Sequence, residues 1–249
     1  MNNYIVPNLS KACQILRLIA SRGGISAVDI EKEVKMSRTT VFRILKTFTH
    51  EGFVQKNGTL FYVGAELLSL GAVALGSVNV REYAVPILQE LAVATGETAH
   101  LAIPNGYQSL ILEVCDSPNP ARVTSRTGTL VSMHCSSTGK VFLANIFGDK
   151  IPDIINSLSL DKQTEHTLCT LEEIETENKK IRSLGYAIDD EEFHLGIRCL
   201  AAPVYDSRSQ VVASIGITAT TTSFPKEKID QIAVIVKAAA NKLSKSMGA

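Results

Sequence analysis

Ser37-Arg-Thr-Thr-Val-Phe-Arg-Ile-Leu-Lys-Thr-Phe-Thr-His50 is the most informative stretch of this sequence. Ser37 is a favourable helix N-cap, and four apolar residues follow it at helical spacing: Val41, Ile44, Leu45 and Phe48. The opposite side of the same helix carries cationic and hydroxyl side chains, with no carboxylate among residues 37–50. The pattern predicts a helix that is buried on one side and basic on the other.

Two shorter helices are predicted before this one. Apolar residues recur at helical spacing from Leu9 to Ile19, and Gly23-Gly24 ends the run. Ser26, followed three residues later by Asp29, then resembles a capping box at the start of a second helix that closes near Lys35. Two short helices joined by a tight turn are typical of a helix-turn-helix.

The segment after this motif predicts a β-hairpin. Residues 53–63 alternate in strand-like fashion around Asn57-Gly58, a pair that favours a tight hairpin turn. A hairpin in this place is the wing of a winged helix-turn-helix, with Lys56 and Asn57 at its tip. Side chains of the third helix and the wing are therefore predicted to contact double-stranded operator DNA. These are Arg38, Thr39, Thr40, Arg43, Lys46, Lys56 and Asn57.

The distribution of charge agrees with this prediction. The chain is neutral overall, but residues 1–64 hold nine basic and four acidic side chains, against sixteen and twenty-one in residues 65–249. An excess of positive charge confined to the first quarter of the chain indicates that this part alone meets a polyanion.

The composition limits the class of protein. The chain has 249 residues, 45% of them hydrophobic, which is enough for two cores. No apolar stretch is long enough to cross a membrane, and no signal peptide pattern begins the chain, so we expect a cytoplasmic protein. Five scattered cysteines without a C-x-x-C pair predict free thiols. They are Cys13, Cys115, Cys135, Cys169 and Cys199.

The remaining residues predict a linker and a second domain. We expect a winged helix-turn-helix over residues 9–64, a linker helix over 65–78 and a larger domain over 79–249. The linker is apolar around much of its circumference, which favours packing in a dimer or, alternatively, burial within one subunit. Strand pairs interleaved with helices in the third segment predict an α+β domain with a largely antiparallel sheet.

Several motifs taken together resemble the IclR family of bacterial regulators. In the first domain they are Lys11-Ala12, residues 37–45 of the helix above, and Tyr62-Val63-Gly64. In the second domain they are residues 133–140 (MHCSSTGK), 185–192 (GYAIDDEE) and 196–204 (GIRCLAAPV). The resemblance extends over nearly the whole chain.

This resemblance implies a GAF-like effector-binding domain, dimers that pair into tetramers, and control of nearby catabolic genes, by repression more often than by activation. It also implies a small carboxylic-acid effector held by residues that match the family's pocket. These residues are Ser137, Thr138, Asp189, Cys199, Gly216 and Thr218. Val131 and Ile197 are predicted to form an apolar wall of the same pocket. The chain departs from the family where Ser137-Thr138 replaces a common Gly-Ala pair and Gly216 replaces a common serine.

Three alternatives stay open at this point. Ser137 and Thr138 are equally suited to capping a helix. A cysteine-dependent enzyme would use Cys199 or Cys135 as nucleophile with His134 or His194 as base. A metal sensor would draw on Asp189, Cys199 and the same two histidines. No nucleophile motif and no compact metal-ligand spacing supports either of the last two, so we expect no enzyme, no metal and no cofactor.

Overall fold

The computed structural model describes residues 6–76, 79–148, 151–157 and 160–249, and it divides into two compact units, 1–78 and 79–249. Within the described ranges, no helix combines the length and the apolar character that a membrane span needs.

The first unit contains four helices and a small sheet. The helices are α1 (Pro7–Arg22), α2 (Ala27–Val34), α3 (Arg38–His50) and α4 (Ala65–Gly76). The strands are β1 (Ile25–Ser26), β2 (Val54–Asn57) and β3 (Leu60–Val63). The predicted helix-turn-helix is confirmed: Ser26 and Ser37 cap α2 and α3, and each side chain accepts a backbone N–H three residues later.

The first unit has a core of its own. Val41 and Leu45 of α3 are fully buried, as its periodicity predicts, and they pack with Ile15, Ile30 and Phe61. The sheet has the order β1-β3-β2 and is antiparallel, so the predicted hairpin is present. Strand β1 was not predicted, because two residues carry no detectable alternation.

The wing turn lies one residue later than the Asn-Gly pair suggests. Asn57 pairs with Leu60 as the last residue of β2, and the two-residue loop is Gly58-Thr59. Gly58 has a φ of +59°, a value that favours glycine in such a turn. Asn57 is therefore placed beside the turn and remains exposed.

The second unit is built on one six-stranded antiparallel sheet, as predicted. Its order is β6-β5-β4-β9-β8-β7. The strands are β4 (Thr98–Asn105), β5 (Gln108–Cys115), β6 (Leu130–Ser132), β7 (Ala187–Asp190), β8 (Ile197–Tyr205) and β9 (Val211–Thr220). The helices are α5 (Asn79–Thr95), α6 (Ser137–Ile146), α7 (Ile151–Ser157), α8 (Leu171–Leu184) and α9 (Ile229–Ser246), with a short 3₁₀ turn at Lys226–Lys228.

Two helix pairs cover this sheet. Helix α9 packs on β8 together with α5, and α6 packs on β7, β8 and β9 together with α8. The core around α6 contains Phe142, Ile181 and Ala201, all buried. Helix α8 begins with a complete capping box, in which Thr170 and Glu173 satisfy each other's backbone N–H groups.

The strand register sets up the site described next. Across three neighbouring strands, Asp189 pairs with Cys199 and Cys199 pairs with Thr218. On the next strand, Thr98 pairs with Thr218, and His100 lies two residues along. Because side chains alternate along a strand, Thr98 and His100 project from the same side of β4.

Candidate functional site

The exposed side of α3 carries most of the predicted DNA contacts. Arg38, Thr39, Arg43 and Lys46 are exposed, and Lys56 and Asn57 of the wing are exposed as well. Lys56 lies over the ring of Phe61, with 5.7 Å from Nζ to the ring centroid. This contact holds the lysine stem on the wing and leaves its ammonium group in solvent.

Thr40 differs from the other residues of this set. Its hydroxyl lies 2.8 Å from Ser37 Oγ, and its backbone N–H donates to the same oxygen. Thr40 is half-buried and completes the cap of α3. The prediction that it contacts DNA has the least structural support of the seven.

In the second unit, a cavity of about 410 Å³ lies at the start of α6. Seven of the eight residues predicted to hold an effector line it. They are Val131, Ser137, Thr138, Asp189, Ile197, Cys199 and Thr218. Residues that are scattered over nearly 90 positions of sequence are thus brought to one cavity.

Gly216 is the exception and does not line this cavity. A Cβ atom at this position would lie 2.3 Å from the carbonyl oxygen of Leu200 and 2.8 Å from Cβ of Ala201. The neighbouring strand therefore occupies the space that a side chain would need. The glycine permits close approach of the two strands, which is a packing role.

The first turn of α6 forms the polar end of the cavity. Ser136, not Ser137 or Thr138, is the N-cap, and its Oγ accepts the N–H of Gly139. The alternative in which the predicted pair merely caps the helix is therefore wrong. Thr138 shares a hydrogen bond of 2.9 Å with Ser109. In the described part of the chain, the Ser137 hydroxyl has no partner.

A second polar group faces the cavity from the sheet. Thr218 Oγ1 lies 3.3 Å from Nδ1 of His100 and accepts a hydrogen bond from Sγ of Cys199 at 3.4 Å. Burial lowers the pKa of His100 to about 4, so its ring is neutral at physiological pH. His100 was missed by the sequence analysis because it stands in an otherwise apolar strand with no motif around it.

Asp189 forms the acidic wall. Its Oδ1 accepts backbone N–H groups from Glu192 at 2.8 Å and from Phe193 at 3.2 Å. Burial, together with the charge of Glu192, raises the pKa of this carboxyl to about 7. A carboxyl group with such a pKa carries its proton for much of the time near neutrality, and it then donates as well as accepts hydrogen bonds.

Behind Asp189 lies a buried ionic cluster. Nζ of Lys140, a residue of α6, is 2.5 Å from Oε1 of Glu192 and 3.0 Å from Oε1 of Glu177. Burial alone would lower the pKa of Lys140, but the two carboxylates more than offset it and raise the pKa. Lys140 is therefore charged and fully engaged, and it is not a free cation for a ligand.

The mouth of the cavity carries groups that the sequence analysis did not select. Arg126, on the loop before β6, lines the cavity and is exposed. Among the residues that the structure describes, its guanidinium group forms no ion pair. Phe193 and His194 line the cavity too, with ring centroids 4.7 Å apart in an edge-to-face contact.

The profile of the bacterial transcriptional regulator IclR C-terminal domain matches residues 72–245, and that of the IclR helix-turn-helix domain matches residues 8–58. The chain belongs to the IclR family. Transcriptional repressor IclR of Escherichia coli (strain K12) is 27% identical over 98% of this chain and 90% of its own length.

Solved structures of IclR-type proteins share the fold. The IclR of Thermotoga maritima is 27% identical, with a TM-score of 0.74 over 98% of this chain and 99% of its own. An IclR homologue of Microbacterium hydrocarbonoxydans, in complex with 4-hydroxybenzoate, is 17% identical, with a TM-score of 0.82 over 96% of this chain and 98% of its own. The predicted class, a winged helix-turn-helix joined to a regulator C-terminal domain, is confirmed.

Neither the relatives nor the geometry of the cysteines supports the enzyme alternative. IclR-family relatives are transcriptional regulators, and the two cysteines considered as nucleophiles are unsuited to that role. Burial raises the pKa of Cys135 to about 12 and that of Cys199 well above its usual value, so both thiols stay protonated. His134 hydrogen-bonds to the carbonyl oxygen of Asp161 at 3.2 Å and does not line the cavity.

The metal-sensor alternative also lacks a site. Among the described residues, no three His, Cys, Asp or Glu side chains are grouped closely enough to hold a metal ion. The cavity of this IclR-family chain is lined by polar, charged and apolar side chains.

Proposed function

We propose that this chain is a repressor whose affinity for operator DNA is controlled by a small carboxylic acid bound in the cavity at the start of α6. The observation that carries the proposal is that the start of α6, with Ser137, and Arg126 line one cavity of about 410 Å³. Among the described residues, the Ser137 hydroxyl has no partner. The first N–H groups of a helix have no helical acceptor and carry partial positive charge, which favours an anion.

The supply of donors in this first turn can be counted. Ser136 accepts the N–H of Gly139 with its hydroxyl and that of Lys140 with its carbonyl oxygen. In the part of the chain that is described, the N–H groups of Ser137 and Thr138 remain for a ligand. A carboxylate in this place would accept these two bonds and a third from the Ser137 hydroxyl.

The opposite wall suits the rest of such a ligand. Val131 and Ile197 offer apolar contact, while Asp189 and Thr218 offer hydrogen bonds to hydroxyl or keto oxygens. The raised pKa of Asp189 reduces its repulsion of an anionic ligand. The Microbacterium homologue forms a complex with 4-hydroxybenzoate, which agrees with a small carboxylic acid as the ligand. Sugar acids and keto acids fit the same donors.

The proposed partner of the first unit is double-stranded operator DNA. Arg38, Thr39, Arg43 and Lys46 form one exposed face of α3, and the wing adds Lys56 and Asn57. As the resemblance to the IclR family implies, we place the operator near catabolic genes. Effector binding would change operator affinity about 5- to 150-fold, which corresponds to a coupling of about 1–3 kcal/mol.

Dimer formation is part of this proposal. In α4, the side chain of Leu68 is 77% exposed and that of Leu70 is 48% exposed, so this helix presents apolar surface to solvent. A second copy that covers this surface would give a two-fold symmetric reader of a palindromic operator, and two dimers would give a tetramer. Sedimentation velocity of the full chain and of Leu68→Asp tests this, and a wild-type monomer would contradict it.

The ligand part of the proposal is tested by calorimetric titration of the full chain with short keto, hydroxy, sugar and aromatic carboxylic acids. We expect one acid to bind, and Arg126→Gln to weaken it about tenfold. Arg122→Gln is the matched control, because Arg122 lies on the same loop, pairs with Asp116 and does not line the cavity. If no acid binds, the cavity is not a carboxylate site. If an acid binds equally well to both variants, Arg126 takes no part in holding it.

The DNA part is tested with a duplex selected from a random library by the full chain. Fluorescence anisotropy with and without the acid measures the coupling, and a promoter–reporter fusion gives the sign of regulation. Arg43→Ala should weaken binding and reduce the salt slope by about one counterion. Lys245→Ala, in exposed α9 surface, is the control and should bind like the wild type. Equal DNA affinity in the two variants would remove α3 from the DNA-binding surface.

A further inference from the structure

The ring of Phe42 is an unusual feature of α3. It is 62% exposed, whereas Val41 and Leu45 beside it are fully buried. A single exposed apolar side chain is common on protein surfaces and needs no explanation by itself. Its surroundings make Phe42 informative.

Phe42 stands within a basic surface. Arg38 and Thr39 lie one helical turn before it, and Arg43 and Lys46 follow on the exposed side of the same helix. A groove of about 530 Å³ borders the ring and is lined by the starts of α2 and α3 and by wing residues Lys56 and Thr59.

The charges around the groove indicate what covers the ring. Helix α3 contains no Asp or Glu, and among the residues that line the groove Glu31 of α2 is the one carboxylate, against Arg38 and Lys56. A second copy of this surface would bring like charges together. A polyanion with an apolar group at the matching place complements both the cations and the ring.

We propose that Phe42 enters the major groove and packs against the C5-methyl group of a thymine, which makes it a specificity-determining residue of the DNA-binding surface. This inference rests on the proposed reading of operator DNA by α3.

The chemistry of the groove selects thymine. Every base edge in the major groove presents hydrogen-bond donors or acceptors, and the thymine methyl is the apolar group among the four standard bases. A phenyl ring has neither donor nor acceptor, so it gains contact area only from that methyl. A cation that contacts a phosphate fixes the position of the helix but carries no sequence information, so a methyl contact from Phe42 would add to the reading of the sequence.

Single replacement of each thymine by deoxyuridine in the selected duplex tests this, because the two bases differ only in the methyl group. For the wild-type chain we expect one position in each half-site to lower affinity about three- to fivefold, as burial of one methyl group implies. Phe42→Ala should bind the thymine and deoxyuridine duplexes equally well. Its salt slope should match that of the wild type, because no phosphate contact is removed.

Two further variants keep the test decisive. Phe42→Leu retains an apolar side chain and should keep part of the methyl response even if Phe42→Ala binds too weakly to measure. Val234→Ala, at an exposed apolar position of α9, should respond to the methyl group like the wild type. Circular dichroism and thermal melting establish that the variants fold.

The outcomes separate this inference from the proposed function. A wild-type chain that binds its duplex but is insensitive to every deoxyuridine, or a Phe42→Ala chain that remains sensitive, overturns the role of Phe42 alone. A wild-type chain that enriches no duplex overturns the reading of DNA by α3 as well.

Discussion

Oδ1 of Asp189 accepts the backbone N–H of Glu192 at 2.8 Å, so the acidic wall of the cavity is joined directly to the residue that pairs with Lys140. Lys140 belongs to α6, whose first turn forms the polar end of the same cavity. A ligand that bridges Asp189 and the start of α6 would therefore contact both ends of one buried hydrogen-bonded cluster. This arrangement provides a direct physical route from ligand contact to the packing of α6 against the sheet.

The protonation of Asp189 gives a prediction about pH. In the folded state its pKa is about 7, against 3.8 for an unperturbed aspartic acid, so between these values the folded chain binds a proton that the unfolded chain has lost. Stability due to this group therefore falls as pH rises through that window, by roughly 1.4 kcal/mol per unit. Asp189→Asn keeps an acceptor for both N–H groups and removes the titration.

The measurement is differential scanning calorimetry of the two chains at several pH values. The wild type minus Asp189→Asn difference in unfolding free energy should decline from about pH 4 to about pH 7 and then level off. His100 makes the free energy of unfolding rise with pH over much of this range, because burial lowers its pKa to about 4. Both chains contain His100, so the subtraction removes its contribution. A difference that does not depend on pH would show that Asp189 is ionised throughout.

Lys140→Met should destabilise the second unit strongly. The substitution removes the cation between Glu192 and Glu177, and an uncompensated buried charge costs about 3–5 kcal/mol. The double variant Lys140→Met/Glu192→Gln should recover part of this loss.

A matched control is available for this prediction on α8. Lys180 lies 3.8 Å from the other oxygen of Glu177 but is exposed, so Lys180→Met should change stability by less than about 1 kcal/mol. Both values come from calorimetric melting at pH 7. Losses of similar size in the two lysine variants would mean that the buried cluster is no more important than a surface pair.

Ser136 and Ser137 should separate into a structural and a ligand-binding role. Ser136→Ala removes the N-cap of α6 and should cost about 0.5–2 kcal/mol of stability. Ser137→Ala should leave the melting temperature nearly unchanged, since the Ser137 hydroxyl has no partner among the described residues. The same substitution should weaken binding of the carboxylic acid. Thermal melting with and without the acid measures both effects. The assignment is overturned if Ser137→Ala melts early but binds the acid normally.

The sequence was most informative where periodicity is long and uniform. The buried face of α3 follows from helical spacing and its N-cap, because these signals act within a few residues. Strands β1 and β6 have two and three residues and were missed, since so short a segment shows no alternation. Their positions depend on pairing with strands that are distant in sequence.

Local sequence patterns predicted the cavity only in part. The family resemblance pointed to residues around Ser137, Asp189 and Cys199, and these do converge. His100 and Arg126 were not predicted, because no local pattern marks a residue whose importance comes from cross-strand register or from a loop that folds over the site. Gly216 was placed in the site by resemblance, whereas strand packing excludes it from the cavity lining.

Gly216 gives the last prediction. Replacement by Ala, or by the Ser common in the family, adds a Cβ 2.3 Å from the Leu200 carbonyl oxygen and 2.8 Å from Cβ of Ala201. Neither contact is with the flexible end of a side chain, so β8 and β9 must move apart. We expect a loss of about 1–3 kcal/mol, typical of an overpacked core.

Gly71→Ala is the control for Gly216→Ala, because Gly71 lies within α4 and a Cβ there meets no atom of its own chain within 4 Å. Sedimentation velocity establishes that the variants have the same oligomeric state as the wild type. That variant should be neutral or gain about 0.5–1 kcal/mol. Calorimetric melting of the three chains measures the difference. If Gly216→Ala melts like the wild type, the strands relax freely at this place, and the glycine is not required for their packing.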